Sequence, residues 1–166
     1  NFTRHYLALH RKFNKLWENQ EWKVYMMIIL LVSVFIAGGL IIYQDYGIEP
    51  AFRDSLFTVV SIITTTGFVT VDYLWWPTFL WMFVFMLMFV GGSAGSTGGG
   101  VKVVRHLLLI KNSWTELKRA IHPNAIIPVK FNGKGVSQDI IFNVMGFFLI
   151  YVLVFAAGTL ITALTG

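Results

Sequence analysis

The chain has 166 residues, of which 56% are hydrophobic, and its mean hydropathy is +0.68. Charged residues make up 13%, about half of the roughly 25% that is usual in soluble domains, so the composition predicts an integral membrane protein. The absence of cysteine excludes disulfides and thiolate metal sites. The net charge of +5 does not indicate nucleic-acid binding, because the basic residues flank apolar segments as membrane anchors do.

The segment 1–23 is polar and basic, with five Lys or Arg residues against two Glu residues. Aromatic side chains recur in it at about one helical turn, which predicts a cytoplasmic or interfacial helix. No charged region followed by a short apolar core and a cleavage site opens the chain, so we expect no signal peptide. Residues 24–43 carry no charge over twenty positions, which predicts one transmembrane helix.

The segment 53–63 predicts a helix of eleven residues, which spans only about 16 Å and is too short for a hydrocarbon core of about 30 Å. Beside transmembrane helices, this length favours a re-entrant pore helix that enters and leaves the membrane on one side. TTTGF (64–68) follows directly. Residues 78–110 then predict a second transmembrane helix, broken at 91–100, where six of ten residues are Gly.

The remaining segments predict a cytoplasmic linker over 122–139 and a further transmembrane helix over 140–165. Of the 13 basic residues, 12 lie in 1–23 or 101–135, so the N-terminus is expected to be cytoplasmic and the 44–77 loop to face outward. The predicted fold is all-α and integral to the membrane. It consists of a helix–re-entrant pore loop–helix repeat with a broken second helix, followed by one further transmembrane helix.

The TTTGF segment lies where the C-terminus of the pore helix would direct partial negative charge towards a pore. Backbone carbonyls in such a segment can replace the hydration shell of a cation, and Gly67 would permit a backbone angle that other residues resist. Asp54 and Asp72 are expected near the outer mouth, where they would concentrate cations. Taken by itself, the TTTGF motif is more typical of an ordinary loop. Its place between a half-length helix and a second span favours a selectivity filter.

The Gly-rich break GGSAGSTGGG (91–100) admits three other interpretations, each of which fits poorly. A phosphate loop needs Gly-Lys-Ser/Thr, whereas Val101 separates Gly100 from Lys102. Gly91–Gly95 matches the G-x-S-x-G of serine hydrolases, but all four His residues lie in the predicted cytoplasmic flanks. Close helix packing does not explain six Gly residues, since each costs about 1 kcal/mol in a helix. The remaining interpretation is a mobile loop in a water-filled cavity that obstructs conduction below the filter.

Three segments, SIITTTGF (61–68), GGSAGSTGGGVKVVR (91–105) and IHPNAIIPVKFNGKGV (121–136), resemble the Trk/Ktr/HKT superfamily of potassium transporters. The resemblance is greatest to its bacterial TrkH-type membrane subunits, with Val101 where the motif has Ile. It implies four helix–pore helix–helix repeats around one pore. This chain would contain the third repeat and the first helix of the fourth, so we expect a longer parent chain.

The resemblance also implies which residues form the filter and the gate. Potassium would be coordinated by the backbone carbonyls of Thr64, Thr65, Thr66 and Gly67, next to Phe68. The implied gate comprises Gly91, Gly92, Ser93, Ala94, Gly95, Ser96, Thr97, Gly98, Gly99, Gly100 and Lys102. From the residues alone, Lys102 and Arg105 favour anchoring at the membrane interface by snorkelling, with Lys102 alternatively holding the closed loop or repelling cations.

The function that these features predict is potassium uptake across the bacterial cytoplasmic membrane, without enzymatic chemistry and with no cofactor besides the transported ion. The implied partners are membrane lipids, the remaining repeats, a second copy of the full-length subunit and a cytoplasmic nucleotide-binding regulatory subunit, but no nucleic acid. Symport with another ion is compatible with this function. Two alternatives are a homotetrameric cation channel built from four copies of the chain and a membrane scaffold that conducts nothing.

Overall fold

The computed structural model describes residues 19–122 and 127–165, so most of the helix predicted over 1–23 lies outside the described residues. Its contacts divide the chain into two units, 1–104 and 105–166. The elements follow in chain order: α1 (Gln20–Gln44), α2 (Ile48–Ile63), a 3₁₀ turn (Tyr73–Trp75), α3 (Thr78–Leu87), β1 (Val90–Gly91), β2 (Val101–Lys102), α4 (Val103–Ile121), β3 (Lys130–Phe131), β4 (Lys134–Gly135) and α5 (Gln138–Thr165).

Helices α1 and α5 have 25 and 28 residues and are long and apolar enough to cross a membrane. Helix α1 begins before the predicted start at residue 24, because the Asn19 side chain caps it by accepting the N–H groups of Glu21 and Trp22. Helix α5 begins at Gln138, close to the predicted start at 140. The predominantly helical prediction is therefore confirmed for these segments.

Helix α2 has 16 residues and begins at Ile48, so the predicted start at residue 53 is wrong. The difference arises because Pro50 lies in the first turn, where a missing N–H and a fixed φ are tolerated. At about 24 Å, the helix remains shorter than a hydrocarbon core. Its buried face, which includes Val59 and Ile63, joins a core that also contains Ile36 and Leu40 of α1.

The second predicted span is interrupted over a longer stretch than 91–100, because α3 ends at Leu87 and α4 begins only at Val103. The reason is that residues on both sides of the Gly-rich segment leave the helix to pair with each other. Val90 and Gly91 form a parallel pair with Val101 and Lys102.

The second unit contains α4 beyond Val104, the β3–β4 hairpin and α5. The predicted linker over 122–139 thus includes a hairpin, whose Asn132-Gly133 turn has φ angles of 49° and 78°. Two positive φ values in an Asn-Gly turn match the tight turn that suits the twist of a hairpin. Lys111 of α4 donates to the carbonyl of Lys130 at 2.8 Å and holds the hairpin against that helix.

Gly39 sets the distance between α1 and α3, and its replacement provides a test of the first unit. A Cβ atom on Gly39 would lie 2.6 Å from Cδ2 of Leu80, which is fully buried, whereas a Cβ on Gly38 would meet nothing within 4 Å. Gly39→Val should therefore destabilise the full-length protein by about 1–3 kcal/mol through overpacking. Thermal unfolding in detergent would measure the effect, with Gly38→Val as the control for the shared change in helix propensity. Equal losses in the two variants would contradict this packing.

Candidate functional site

The TTTGF segment leaves the end of α2 through two residues with positive φ, Thr65 at 57° and Gly67 at 81°. The Ser61 carbonyl accepts the N–H of Thr66 at 2.9 Å and that of Gly67 at 3.4 Å. The Ser61 hydroxyl donates to the carbonyl of Phe68 at 2.5 Å. A single residue in the last turn of α2 therefore fixes both ends of the segment. Sequence reasoning did not assign this role to Ser61.

Thr65 has a backbone conformation that is unfavourable for a β-branched residue, which indicates that its surroundings hold it in place. Its neighbour Thr64 donates to the Val60 carbonyl at 2.6 Å, and the Thr64 and Thr66 hydroxyls are 2.8 Å apart. The three hydroxyls therefore take part in specific local contacts. The Thr65 hydroxyl is the one that meets the Gly-rich segment, as described below.

Asp54, which was expected near the outer mouth, has its carboxylate buried within the chain and not open to water. It is 2% exposed, is paired with the Arg53 guanidinium at 3.3 Å, and accepts hydrogen bonds from the Tyr46 hydroxyl at 3.3 Å and the Thr70 hydroxyl at 3.5 Å. Burial, followed by the adjacent Asp54 carboxylate, raises the pKa of Tyr46 above its ordinary value, so the phenol stays a donor at neutral pH. Asp54 thus ties the segment after TTTGF to α2. Asp72 is exposed and caps the 3₁₀ turn.

The Gly-rich segment forms a loop whose two ends meet at a narrow neck. There the N–H of Val101 donates to the Phe89 carbonyl at 3.3 Å, and the N–H of Val103 donates to the Gly92 carbonyl at 3.3 Å. Only Gly fits at position 91, because a Cβ atom there would lie 2.3 Å from the Gly99 carbonyl oxygen. We call residues 91–102, from one side of this neck to the other, the Gly-rich loop.

Lys102 points into the Gly-rich loop, so its assignment as an interface anchor by snorkelling is wrong. Its ammonium donates to the Ser96 carbonyl at 3.0 Å and the Ser96 hydroxyl at 3.2 Å, and also to the Gly98 carbonyl. The half-buried cation thus draws three loop oxygens together. Arg105 differs, because its guanidinium lies 3.8 Å from the centroid of the Phe147 ring.

The tip of the Gly-rich loop contacts the start of the TTTGF segment. The N–H of Gly99 donates to Thr65 Oγ1 at 3.0 Å. A Cβ atom on Gly98 would lie 3.0 Å from that hydroxyl oxygen and 3.1 Å from the Thr64 carbonyl oxygen. The structure therefore brings together two of the predicted site segments, which are separated by about thirty residues in sequence.

Glu21 also contacts the Gly-rich loop, and sequence reasoning missed it. It lies in the first turn of α1, is 4% exposed, and accepts the N–H of Ala94 on its carboxylate. In the sequence it is one of two acids in a basic segment, three positions before an uncharged run of twenty residues. That position was a possible signal, but it did not identify Ala94 as the partner.

Comparison with known proteins gives a consistent result. A family model described as TrkH, cation transport protein, matches residues 19–164. The Trk system potassium uptake protein TrkH of Vibrio parahaemolyticus is 38% identical, over 100% of this chain and 35% of that protein. The Trk system potassium uptake protein TrkG of Escherichia coli K12 is 34% identical, over 92% of this chain and 32% of that protein.

The similarity to these proteins extends to the three-dimensional structure. The crystal structure of the potassium transporter TrkH from Vibrio parahaemolyticus matches with a TM-score of 0.86 at 38% identity, over 95% of this chain and 34% of that one. The chain spans about a third of the length of the curated relatives it matches. The resemblance inferred from three short segments is confirmed over nearly the whole chain, and the chain belongs to the TrkH family of membrane-embedded cation transport proteins.

Proposed function

We propose that the parent of this chain is the membrane subunit of a potassium uptake system, and that the chain supplies one quarter of the selectivity filter and an intramembrane gate. The observation that carries this proposal is the contact of the loop tip with the TTTGF segment, through Gly99 and Thr65. The names of the relatives as potassium uptake proteins support the choice of ion. The parent is then a transporter rather than an enzyme, and potassium is its cargo.

In this proposal the filter is formed by the carbonyls of Thr64, Thr65, Thr66 and Gly67, next to Phe68. Ser61 holds the Thr66 and Gly67 amides towards α2, which keeps these N–H groups away from a cation. The C-terminal end of α2 adds partial negative charge at the same place. Carbonyl oxygens that are fixed in this way can replace the hydration shell of potassium.

The gate in this proposal is the segment 91–100 together with Lys102, both within the Gly-rich loop. Its tip abuts Thr64 and Thr65, at the end of the filter next to α2. An ion that leaves this end would meet Gly98 and Gly99 before reaching water. Because the loop is not part of a helix, it would move aside without disrupting the packing of α1, α2 and α3.

The same proposal places the parent in the bacterial cytoplasmic membrane as a multi-pass protein, with the N-terminus of this chain cytoplasmic and the 44–77 loop facing outward. It includes a re-entrant path for α2 and TTTGF, three further repeats in the parent and a homodimer of that parent. A cytoplasmic nucleotide-binding subunit would regulate it. The excess of basic residues in 101–135 supports the orientation.

Two alternatives give different experimental outcomes. A scaffold that conducts nothing would tolerate substitutions in TTTGF and in the Gly-rich loop without any change in ion flux. A homotetrameric channel would conduct potassium from this chain alone, whereas the proposed quarter of a pore requires the parent.

Potassium uptake by the parent, in bacteria that lack their own uptake systems, tests the proposal. Failure to restore growth at low potassium, with the protein present in the membrane, would contradict it.

Lys102→Met in the parent is expected to raise potassium flux several-fold, because it removes the cation that draws the Ser96 and Gly98 oxygens together. Flux into proteoliposomes would measure the effect. Lys118→Met, which removes an exposed lysine of α4, is the matched control and should leave flux unchanged. Equal flux in the Lys102 variant and the wild type, with both folded, would show that the loop does not limit conduction.

A further inference from the structure

We propose that Glu21 is a positioning residue for the gate, which anchors the half of the Gly-rich loop that Lys102 does not hold. The inference rests on the proposed function, because it concerns the same loop. It begins from a buried carboxylate, 4% exposed, in the first turn of α1. Removing a carboxylate from water is unfavourable unless hydrogen bonds replace the water, and the N–H of Ala94 supplies one.

An acidic residue in the first turn of a helix also interacts favourably with the helix dipole, and this simpler explanation must be considered. Glu49 occupies the same place in α2, and its carboxylate stays in water with Arg53 at 3.3 Å. The dipole therefore does not require burial. What distinguishes Glu21 is that its carboxylate points at the loop, and the Asn19 cap fixes the backbone from which it extends.

The contact at Ala94 is placed to restrain the whole loop. Ala94 lies within a turn in which the N–H of Ser96 donates to the Ser93 carbonyl at 3.0 Å. Ser96 is in turn bound by Lys102, which also binds Gly98 beside the tip. Glu21 and Lys102 thus hold successive parts of the loop, one from α1 and the other from within the loop. Together they keep the tip on Thr65.

Glu21→Ala in the parent is expected to raise potassium flux about fivefold, the effect of losing a typical net hydrogen bond from the closed state. Glu21→Gln should give an intermediate flux, because its amide oxygen still accepts the Ala94 N–H without the charge. Glu49→Ala is the matched control, since it removes an acid from a first helical turn without touching the loop, and its flux should equal that of the wild type.

A cross-link between positions 21 and 94 tests the same role by the opposite effect, because it should lower the flux. The double variant Glu21→Cys and Ala94→Cys should show raised flux when reduced. When a short bifunctional thiol reagent joins the two sites, flux should fall below that of the reduced protein. A defect in folding alone would not reverse in this way. Unchanged flux in the Glu21→Ala variant, or no fall in flux when the reduced double variant is cross-linked, would overturn the role of Glu21.

The two proposals can fail separately. If Lys102→Met raises flux but Glu21→Ala leaves it unchanged, the loop is a gate and Glu21 does not hold it. If neither variant changes flux while the parent transports potassium, the gate itself is contradicted. If both raise flux and Glu21→Gln is intermediate, both the gate and its second anchor are supported.

Discussion

Replacement of Gly67 by Ser in the parent is expected to abolish most of its preference for potassium over sodium. Gly67 has a φ of 81°, and a Cβ atom added there would meet nothing within 4 Å. The effect would therefore come from the backbone and not from a clash. A residue with a Cβ pays roughly 1–2 kcal/mol in this region, so the peptide is expected to rotate. Rotation would move the Thr66 and Gly67 carbonyls, which are proposed to coordinate the ion.

The chain offers a close control for this substitution. Gly133, in the turn of the β3–β4 hairpin, has a φ of 78° and also nothing within 4 Å of an added Cβ atom. Gly133→Ser therefore imposes the same backbone strain outside the filter and should leave selectivity unchanged. Potassium and sodium fluxes into proteoliposomes would measure the ratio. If Gly67→Ser keeps the wild-type ratio, TTTGF is not the selectivity filter.

The parts of the fold that depend on composition were accessible from the sequence. A run of twenty uncharged residues predicts a spanning helix whatever it packs against, and α1 contains that run. The Gly-rich break was equally visible, because six Gly residues in ten positions are incompatible with a stable helix. Its position after TTTGF and the short apolar segment 78–90 was sufficient to predict a loop below a filter. That function stays a proposal.

What the sequence could not reveal is how the buried charges are paired. Glu21 and Ala94 are 73 residues apart, and no local periodicity connects a carboxylate in one helix with an N–H in a distant loop. Asp54 was expected near the outer mouth, where it would concentrate cations, but its carboxylate is buried and is paired with Arg53, Tyr46 and Thr70. Lys102 next to an apolar segment is typical of snorkelling, and only the fold of the loop directs its ammonium inward.

If the loop is the gate, these charges explain how it would hold one conformation and still move. A loop of small residues has few apolar contacts that would fix one conformation. Lys102 and Glu21 supply that restraint through a small number of hydrogen bonds. Such contacts can break and reform without opening a hydrophobic core, since each net hydrogen bond contributes only about 1 kcal/mol. The contact with TTTGF is of the same kind, because the hydrogen bond from the Gly99 N–H to Thr65 Oγ1 joins it to the loop tip.

A disulfide between the loop tip and the filter segment is expected to reduce potassium flux to background. A Cβ atom on Gly99 would lie 3.8 Å from Cγ2 of Thr65, so Thr65→Cys and Gly99→Cys place two thiols within bonding range after small adjustments. Gly99 does not have a positive φ, so a Cys is tolerated there. The chain contains no cysteine, which leaves the introduced pair without competing thiols in this part of the parent.

The locked state should be reversible, and this separates gating from damage to the filter. Reductant should restore the flux of the double variant, and each single variant should conduct with or without oxidant. A second pair, Lys130→Cys and Gly135→Cys, faces across the β3–β4 hairpin and controls for oxidation away from the gate. If mass spectrometry shows the Thr65–Gly99 link fully formed while flux stays at the reduced level, the loop cannot be the gate. Because the loop tip contacts Thr65, a disulfide between Gly99→Cys and Thr65→Cys would prevent the loop from moving to an open position.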